Sequence, residues 1–169
     1  MNRLAWVVLT CAAVAAAVAC GKGTNSLDGS LSEVFPLDVS TAHVIRNDEA
    51  LVVSFEANRG RDIDLVLRFT LALDQLPLAT GKTVRISGTT DGGILRASFL
   101  HNAAGEPARV LPPVAVGQFI LDRGGNPGDD TSGSFDVSFV TDGSYGSGRG
   151  VSGTFRAVAL DGGYGDWIP

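Results

Sequence analysis

The sequence predicts an all-β fold: an antiparallel β-sandwich of roughly eight to ten short strands. Residues 62–73 (DIDLVLRFTLAL) alternate between apolar and mostly polar side chains, as in a strand with one buried face. Similar runs recur along the chain between clusters of glycine, proline and aspartate. No window beyond residue 20 shows the 3.6-residue period of an amphipathic helix. A closed antiparallel β-barrel fits the same pattern and stays open as an alternative.

Nine segments are predicted as strands. In chain order they are 30–39, 42–47, 50–57, 62–73, 82–88, 93–101, 117–122, 133–141 and 151–160. Pro36 cannot donate to a strand ladder, so the first of them is expected at an edge or broken. Residues 58–61 (NRGR) have the length and glycine of a hairpin connection.

The longest alternating run also predicts which side chains are buried. Its core-facing set is Ile63, Leu65, Leu67, Phe69, Leu71 and Leu73. The opposite, wetter face carries Asp62, Asp64, Val66, Arg68, Thr70 and Ala72. A one-residue error in register would exchange the two faces, so the burial of Phe69 is a direct test of this prediction.

A weak internal echo links two later strands. Residues 132–143 (SGSFDVSFVTDG) and 152–163 (SGTFRAVALDGG) share a beginning and an Asp-Gly ending. Two copies are too few for a solenoid. The echo instead predicts two neighbouring strands, each with its phenylalanine (Phe135 and Phe155) in the core, joined by a hairpin loop over residues 142–150.

The N-terminal segment has the features of a secretory signal. Arg3 is followed by an uncharged apolar stretch over residues 4–19, which ends in the small residues Ala17-Val18-Ala19. The stretch is short and rich in alanine for a bilayer-spanning helix, although a retained span is the alternative. Removal of residues 1–19 would leave Cys20 as the only cysteine of the mature chain.

Residues 17–20 (AVAC) resemble the lipobox of bacterial lipoproteins. The resemblance covers only residues 1–20, and Ala17 stands where the family prefers leucine. It implies cleavage before Cys20, a diacylglyceryl thioether on its sulfur, and acylation of its new amine. Gly21 stands where an aspartate would direct retention at the inner membrane, so the resemblance implies an outer-membrane anchor. Ordinary secretion with a free Cys20 is the alternative.

These features predict three regions: a signal peptide (1–19), a lipidated cysteine with a flexible tether (20–30), and a single all-β domain (31–169). The tether is rich in glycine, serine and asparagine, as flexible linkers are. A mature chain of this length can bury a core of its own. The net charge of −5 and the lack of basic runs argue against a nucleic-acid partner.

Acidic residues suggest two kinds of site. Asp62 and Asp64 lie about 7 Å apart if they share a strand face, which would suit a glycosidase pair. Pairing with arginines such as Arg68 is the simpler interpretation. The polar segment 122–133 carries four potential oxygen ligands for calcium, although an ordinary hairpin loop is favoured: Asp122, Asn126, Asp129 and Asp130.

Histidine and aromatic residues complete the candidates. His43 and His101 fall in or beside predicted strands and would be the bases of a hydrolytic site if the fold brought partners to them. Near the loops and the C-terminus, Tyr145, Tyr164 and Trp167 are candidate contacts for a sugar ring. A structural role for Trp167, closing the last segment, is the alternative.

The sequence therefore favours an outer-membrane-anchored envelope lipoprotein that acts as a non-enzymatic binding or structural module. Its expected partners are the membrane, through the lipid, and an envelope protein or glycan. A lipocalin-like carrier of a small apolar ligand and a hydrolase of envelope polymers are the alternatives. No cofactor is expected, apart from calcium at residues 122–130.

Overall fold

Ten β-strands make up most of the structure, a computed structural model that describes residues 24–73, 78–87, 97–143 and 145–162. The strands are β1 (Ser26–Asp28), β2 (Thr41–Arg46), β3 (Ala50–Arg59), β4 (Asp62–Ala72), β5 (Thr83–Ile86), β6 (Ala97–Asn102), β7 (Arg109–Val110), β8 (Val114–Arg123), β9 (Asp130–Phe139) and β10 (Gly150–Asp161). A single turn of 3₁₀ helix spans Ser30–Glu33. The all-β prediction is confirmed. None of the described segments is a helix long and apolar enough to cross a membrane.

The strands form one curled, mixed sheet in the order β5-β8-β9-β10-β2-β3-β4-β6-β7, with β1 added beside β10. Neighbouring strands are antiparallel except for β10 and β2, which run parallel. On the edge of β10 away from β9, β1 pairs with residues 152–154 and β2 with residues 159–161. The change of partner along one strand lets the sheet fold over on itself as a half-barrel.

Phenylalanine rings fill the space between the two halves of the curled sheet. Phe69 on β4 lies 5.7 Å from Phe119 on β8 and 5.2 Å from Phe135 on β9, measured between ring centroids. Phe99 on β6 meets Phe139 on β9 edge-on at 5.3 Å. These contacts join strands that are far apart in the sheet order. The predicted burial of Phe69 and Phe135 is confirmed, with 0% and 3% of their surfaces exposed.

The echo between β9 and β10 is a reciprocal packing arrangement. In the antiparallel register Phe135 lies opposite Gly153, and Phe155 lies opposite Gly133. Each ring therefore covers the glycine of the other strand. Both rings are buried, as predicted, and the connection between the strands runs over residues 140–149.

A β-bulge changes the predicted faces at the start of β4. Phe55 pairs with Leu67 and Glu56 with Leu65, so Val66 is an extra residue without its own partner on β3. The bulge reverses the alternation before it. Val66 is buried in the core, whereas Ile63, which was predicted to be buried, is 50% exposed. The prediction for Ile63 was wrong because regular alternation does not reveal a bulge.

The segment before β2 also differs from expectation. Residues 30–39, predicted as a strand, form the 3₁₀ helix and an irregular stretch, and Leu31 is fully buried. Residues 26–28, assigned to the flexible tether, form β1, because the edge of β10 offers them backbone partners. The Asn25 side-chain oxygen accepts a hydrogen bond from the Arg156 amide at 2.7 Å. The ordered domain thus begins earlier than residue 31, while residues 1–23, including Cys20, lie outside the described residues.

Candidate functional site

Four segments meet around a cleft of about 430 Å³: the stretch after the 3₁₀ helix, the β3–β4 hairpin, the β6–β7 turn and the β9–β10 loop. The lining residues are Val34, Phe35, Pro36, Arg59, Asp64, Val66, His101, Ala103, Glu106, Arg109 and Tyr145. The cleft combines aromatic rings with arginine and carboxylate side chains. Such a mixture of apolar surface and a few convergent polar groups is typical of ligand sites.

A stack of three rings forms one part of the cleft. Phe35 lies on His101 with 3.9 Å between ring centroids and an angle of 13° between the planes. Tyr145 is nearly parallel to Phe35 at a centroid distance of 5.9 Å. Since the three rings come from three separate segments, each segment fixes the position of the others.

His101 is held in one orientation by its backbone contact. Its Nδ1 lies 2.8 Å from the carbonyl oxygen of Val66. A carbonyl oxygen only accepts hydrogen bonds, so Nδ1 carries a proton and the neutral ring is the Nδ1–H tautomer. The β4 bulge that turns Val66 into the core thereby helps to fix the ring that supports Phe35.

Two ion pairs form the polar rim of the cleft. Arg59 donates to Asp64 at 2.6 Å, and the other carboxylate oxygen of Asp64 accepts the Ala104 amide at 2.7 Å. Arg109 donates to Glu106 at 3.3 Å. The rim therefore carries two positive and two negative side chains. It offers hydrogen-bond donors and acceptors together, without an excess of either charge.

Arg109 also covers Tyr145. Its guanidinium carbon lies 4.9 Å from the centre of the tyrosine ring, within the range of a cation–π contact. Burial raises the pKa of the Tyr145 phenol above its usual value; Arg109 opposes this effect and Glu106 adds to it. The phenol is therefore neutral at physiological pH and able to donate a hydrogen bond.

Comparison of the chain with protein-family models, curated proteins and solved structures finds no match.

The structure brings some of the predicted site residues together and separates others. Tyr145, His101 and Asp64 all line the cleft, whereas Asp62 and His43 do not. His43 instead pairs with the buried Glu56, with 3.3 Å between Nε2 and a carboxylate oxygen. The carboxylate pair proposed from the sequence therefore does not converge on the cleft. Two candidate sugar contacts lie outside the described residues, Tyr164 and Trp167.

Asp64 has an arginine partner, as the simpler interpretation of the sequence expected: Arg59 on the adjoining strand. The Arg59 contact follows from the short turn between β3 and β4, which places the two residues on facing strands. The bulge at Val66 then directs the Asp64 side chain toward the cleft.

The candidate calcium segment forms the β8–β9 connection and its flanks. Asp130 receives hydrogen bonds from Arg156 at 2.6 and 3.0 Å and from Arg123 at 3.2 Å. A carboxylate oxygen of Asp129 accepts hydrogen bonds from both the backbone and the side-chain nitrogen of Asn126. The hydrogen bond from Arg156 is the main reason that the pKa of Asp130 is lowered. Within the described ranges, no three acidic, histidine or cysteine side chains are grouped as metal ligands.

A wider open groove of about 760 Å³ lies on the outer face of β5, β8 and β9. It is lined by Thr83, Arg85, Val116, Gly117, Gln118, Asp136 and Ser138. These residues come from regular strands and include no aromatic ring. We favour the smaller cleft because several loops converge there on stacked rings.

Sequence reasoning missed three of the residues that define the cleft: Phe35, Arg59 and Arg109. Phe35 lies in a segment that was predicted as a strand, and Arg109 begins the two-residue strand β7, too short to give a periodic signal. The one available signal was Pro36, which marks the end of regular structure just after Phe35.

Proposed function

We propose that the protein is an envelope lipoprotein, anchored through Cys20, that binds a glycan non-enzymatically at the cleft around Tyr145. The lipid anchor rests on the lipobox-like segment at residues 17–20. The binding role rests on the cleft. The observation that carries it is the partly buried ring of Tyr145, backed by the buried rings of Phe35 and His101, beside a charge-balanced rim.

Sugar rings match these two features. Their C–H faces pack on aromatic rings, and their hydroxyls both donate and accept hydrogen bonds. Arg59 and Arg109 supply donors, while Asp64 and Glu106 supply acceptors. A ligand with a strong net charge would be repelled by as many side chains of the rim as attract it. The balanced rim therefore favours neutral or zwitterionic sugars.

Asp64 supports binding more than catalysis. One of its oxygens is occupied by Arg59 and the other by the Ala104 amide. A general acid or base must exchange a proton with the substrate, and these contacts hold Asp64 in a fixed, ion-paired state. The two carboxylates that line the cleft, Asp64 and Glu106, are each paired with an arginine, and Asp62, the other half of the pair considered for a hydrolase, does not line it.

The packed interior supports a surface site over an internal carrier site. Rings from β3, β4, β6, β8, β9 and β10 occupy the space between the halves of the sheet: Phe55, Phe69, Phe99, Phe119, Phe135, Phe139 and Phe155. A lipocalin-like carrier needs that space for its ligand. The proposal therefore places the ligand at the rim of the fold.

Binding of soluble envelope glycans tests the proposed function. Purified protein is titrated calorimetrically with peptidoglycan fragments and with a neutral envelope polysaccharide, and Tyr145→Ala and Arg109→Ala are compared with the parent. Loss of a central aromatic contact should weaken binding by about tenfold or more.

Arg85→Ala is the matched control, since Arg85 is an arginine on the separate groove of β5. It should bind as the parent does. No binding of either glycan preparation, or equal loss in Arg85→Ala and Arg109→Ala, would contradict the proposed site.

A further inference from the structure

Two aliphatic side chains stand exposed on the outer face of β10. Val158 is 57% exposed and Leu160 is 48% exposed. They occupy alternate positions, so both project from the same face of the strand. Closer to the start of β10, this face carries the polar residues Ser152, Thr154 and Arg156.

We infer that this face of β10, at Val158 and Leu160, rests against the lipid bilayer that receives the Cys20 lipid. The inference depends on the proposed lipid anchor. The surface that contacts this face is a lipid surface, because the chain leaves the domain toward the Cys20 anchor at this end of β10.

The register of β1 shows the direction of the chain. Ser26 pairs with Thr154 and Asp28 with Ser152, so following β1 toward its N-terminus leads along β10 toward Val158. Asn25 is hydrogen-bonded to the backbone of Arg156, two residues before Val158. The attachment point is therefore beside the aliphatic pair.

The short link to the anchor keeps this end of the domain near the membrane. Five residue steps separate Cys20 from Asn25, a span of at most about 17 Å. Leu160 is four residues beyond Arg156, about 13 Å along the strand. Both distances are short compared with the domain, so the aliphatic pair lies within reach of the surface that holds the lipid.

The charges around the pair are compatible with lipid contact. Arg156 and Arg123 share Asp130, and Arg46 lies opposite Asp161 in the β2–β10 register. Arginines therefore stand beside Asp130 and Asp161 and can meet lipid phosphates, whereas the carboxylate of Asp129, next to Ala159, is held by Asn126. A lipid anchor joined to a second weak membrane contact holds a protein more firmly than either alone.

This orientation places the cleft away from the bilayer. Tyr145 precedes the start of β10, whereas Leu160 lies near its end. Gly150 and Leu160 are ten residues apart, a distance of about 33 Å along an extended strand. The glycan site would then face outward from the membrane that carries the anchor.

Depth-dependent fluorescence quenching tests the inference. The chain from residue 20 onward, which contains the whole described fold, is coupled through Cys20 to a maleimide phospholipid in phosphatidylcholine vesicles. A genetically encoded fluorescent amino acid replaces either Leu160 or Val116, and doxyl-labelled lipid is the quencher. Val116 is the matched control because it is 67% exposed and lies at the opposite end of the sheet from Leu160. It pairs with Ser138, which in turn pairs with Gly150 at the start of β10.

Quenching at position 160 should exceed that at position 116 by about threefold, as expected for a face that enters the headgroup region. Val158→Asp should reduce the signal at position 160, and Gln118→Asp on the distant face should not. Equal quenching at the two positions, or stronger quenching at 116, overturns the inference. Chemical coupling makes the result independent of cellular lipidation. An unmodified Cys20 in protein isolated from cells would therefore overturn the proposed anchor alone.

Discussion

The ring of Phe135 lies over Gly153, and a Cβ atom built on that glycine would approach the ring carbons Cε1 and Cζ to 2.6 and 2.7 Å. Phe155 lies over Gly133 in the same way, two residues away along each strand. Each strand thus supplies a ring and a space for the partner's ring. The repeated SG[ST]F sequence is explained by this exchange.

Gly153→Ala should lower the free energy of unfolding by about 1–3 kcal/mol, because the added methyl group overpacks a buried ring. Gly133→Ala should cost more, since its Cβ would lie 2.5 Å from the Ile120 carbonyl oxygen, a backbone atom that moves less readily. Urea unfolding provides the measurement. Gly150→Ala, on the same strand as Gly153, is the control with wider spacing and a smaller expected effect. Equal losses at all three positions would contradict the packing argument.

Phe69→Ala should reduce the unfolding free energy by about 3–5 kcal/mol, because it removes a fully buried ring from the centre of the core. Phe69 contacts rings on β6, β8 and β9, so neighbouring side chains cannot easily close the cavity. Chemical denaturation measures the change. Ile63→Ala, on the exposed start of β4, serves as the control. A loss below about 1 kcal/mol for Phe69→Ala would be incompatible with this register.

Ultraviolet titration should show Tyr145 ionising at a higher pH than an exposed tyrosine. The chain has two tyrosines, and burial raises the pKa of Tyr145 above 10. Stability from the neutral phenol is fully present below the unfolded pKa and is lost as pH rises through the higher folded value. Tyr145→Phe should remove a phenolate transition whose midpoint lies above that of N-acetyl-tyrosinamide. If the transition it removes lies at or below that of the free amino-acid amide, the assignment is wrong.

Acidification should weaken the attachment of β9 to β10. The pKa of Asp130 is lowered chiefly by the hydrogen bond from Arg156, so its stabilising effect is present above the unfolded pKa near 3.8 and is lost as pH falls through the lower folded value. Asp130→Asn should therefore be less stable than the parent at pH 7, with a difference that shrinks below pH 4. Thermal unfolding across this range checks it. A difference in stability that does not change with pH would argue against a contribution from the ionised carboxylate. Asp136→Asn, on the same strand, is the control.

Cys20→Ser should release the protein from the membrane without altering the fold. The substitution removes the only sulfur that can carry the thioether lipid in the mature chain. The variant should leave the detergent phase, either as uncleaved precursor or as soluble protein. Intact-mass measurement of the parent should find acyl chains on an N-terminal Cys20. Cys11→Ser is the control and should leave the mature mass unchanged; an unmodified thiol in the parent would contradict lipidation.

The sequence predicted the regular part of the fold well. Period-two alternation located most of the long strands and the burial of Phe69, because half-buried strands impose that period. It could not show the bulge at Val66, since an extra residue leaves the local pattern of apolar side chains intact. It also missed β1, whose backbone is ordered by pairing with a strand more than 120 residues away.

The cleft was less accessible to sequence reasoning for a related reason. Tyr145 was proposed as a sugar contact from its position in a glycine-rich loop. Its neighbours Phe35, His101 and Arg109 are distant in sequence and meet only through the tertiary fold. Asp64 was noticed as a carboxylate, but its direction depends on the bulge. Single residues could be proposed, whereas their grouping required the topology.

The pairing of β1 with β10 also has a mechanical consequence. A pull between a membrane anchor at residue 20 and a ligand held near Tyr145 would run lengthwise along these two strands. Their three residue pairs would bear such a force together in shear, and the nine pairs between β10 and β9 would pass it into the sheet. Strands loaded in this direction resist separation better than strands peeled apart one pair at a time. With the anchor and glycan site proposed above, this arrangement would resist a pull exerted through the ligand.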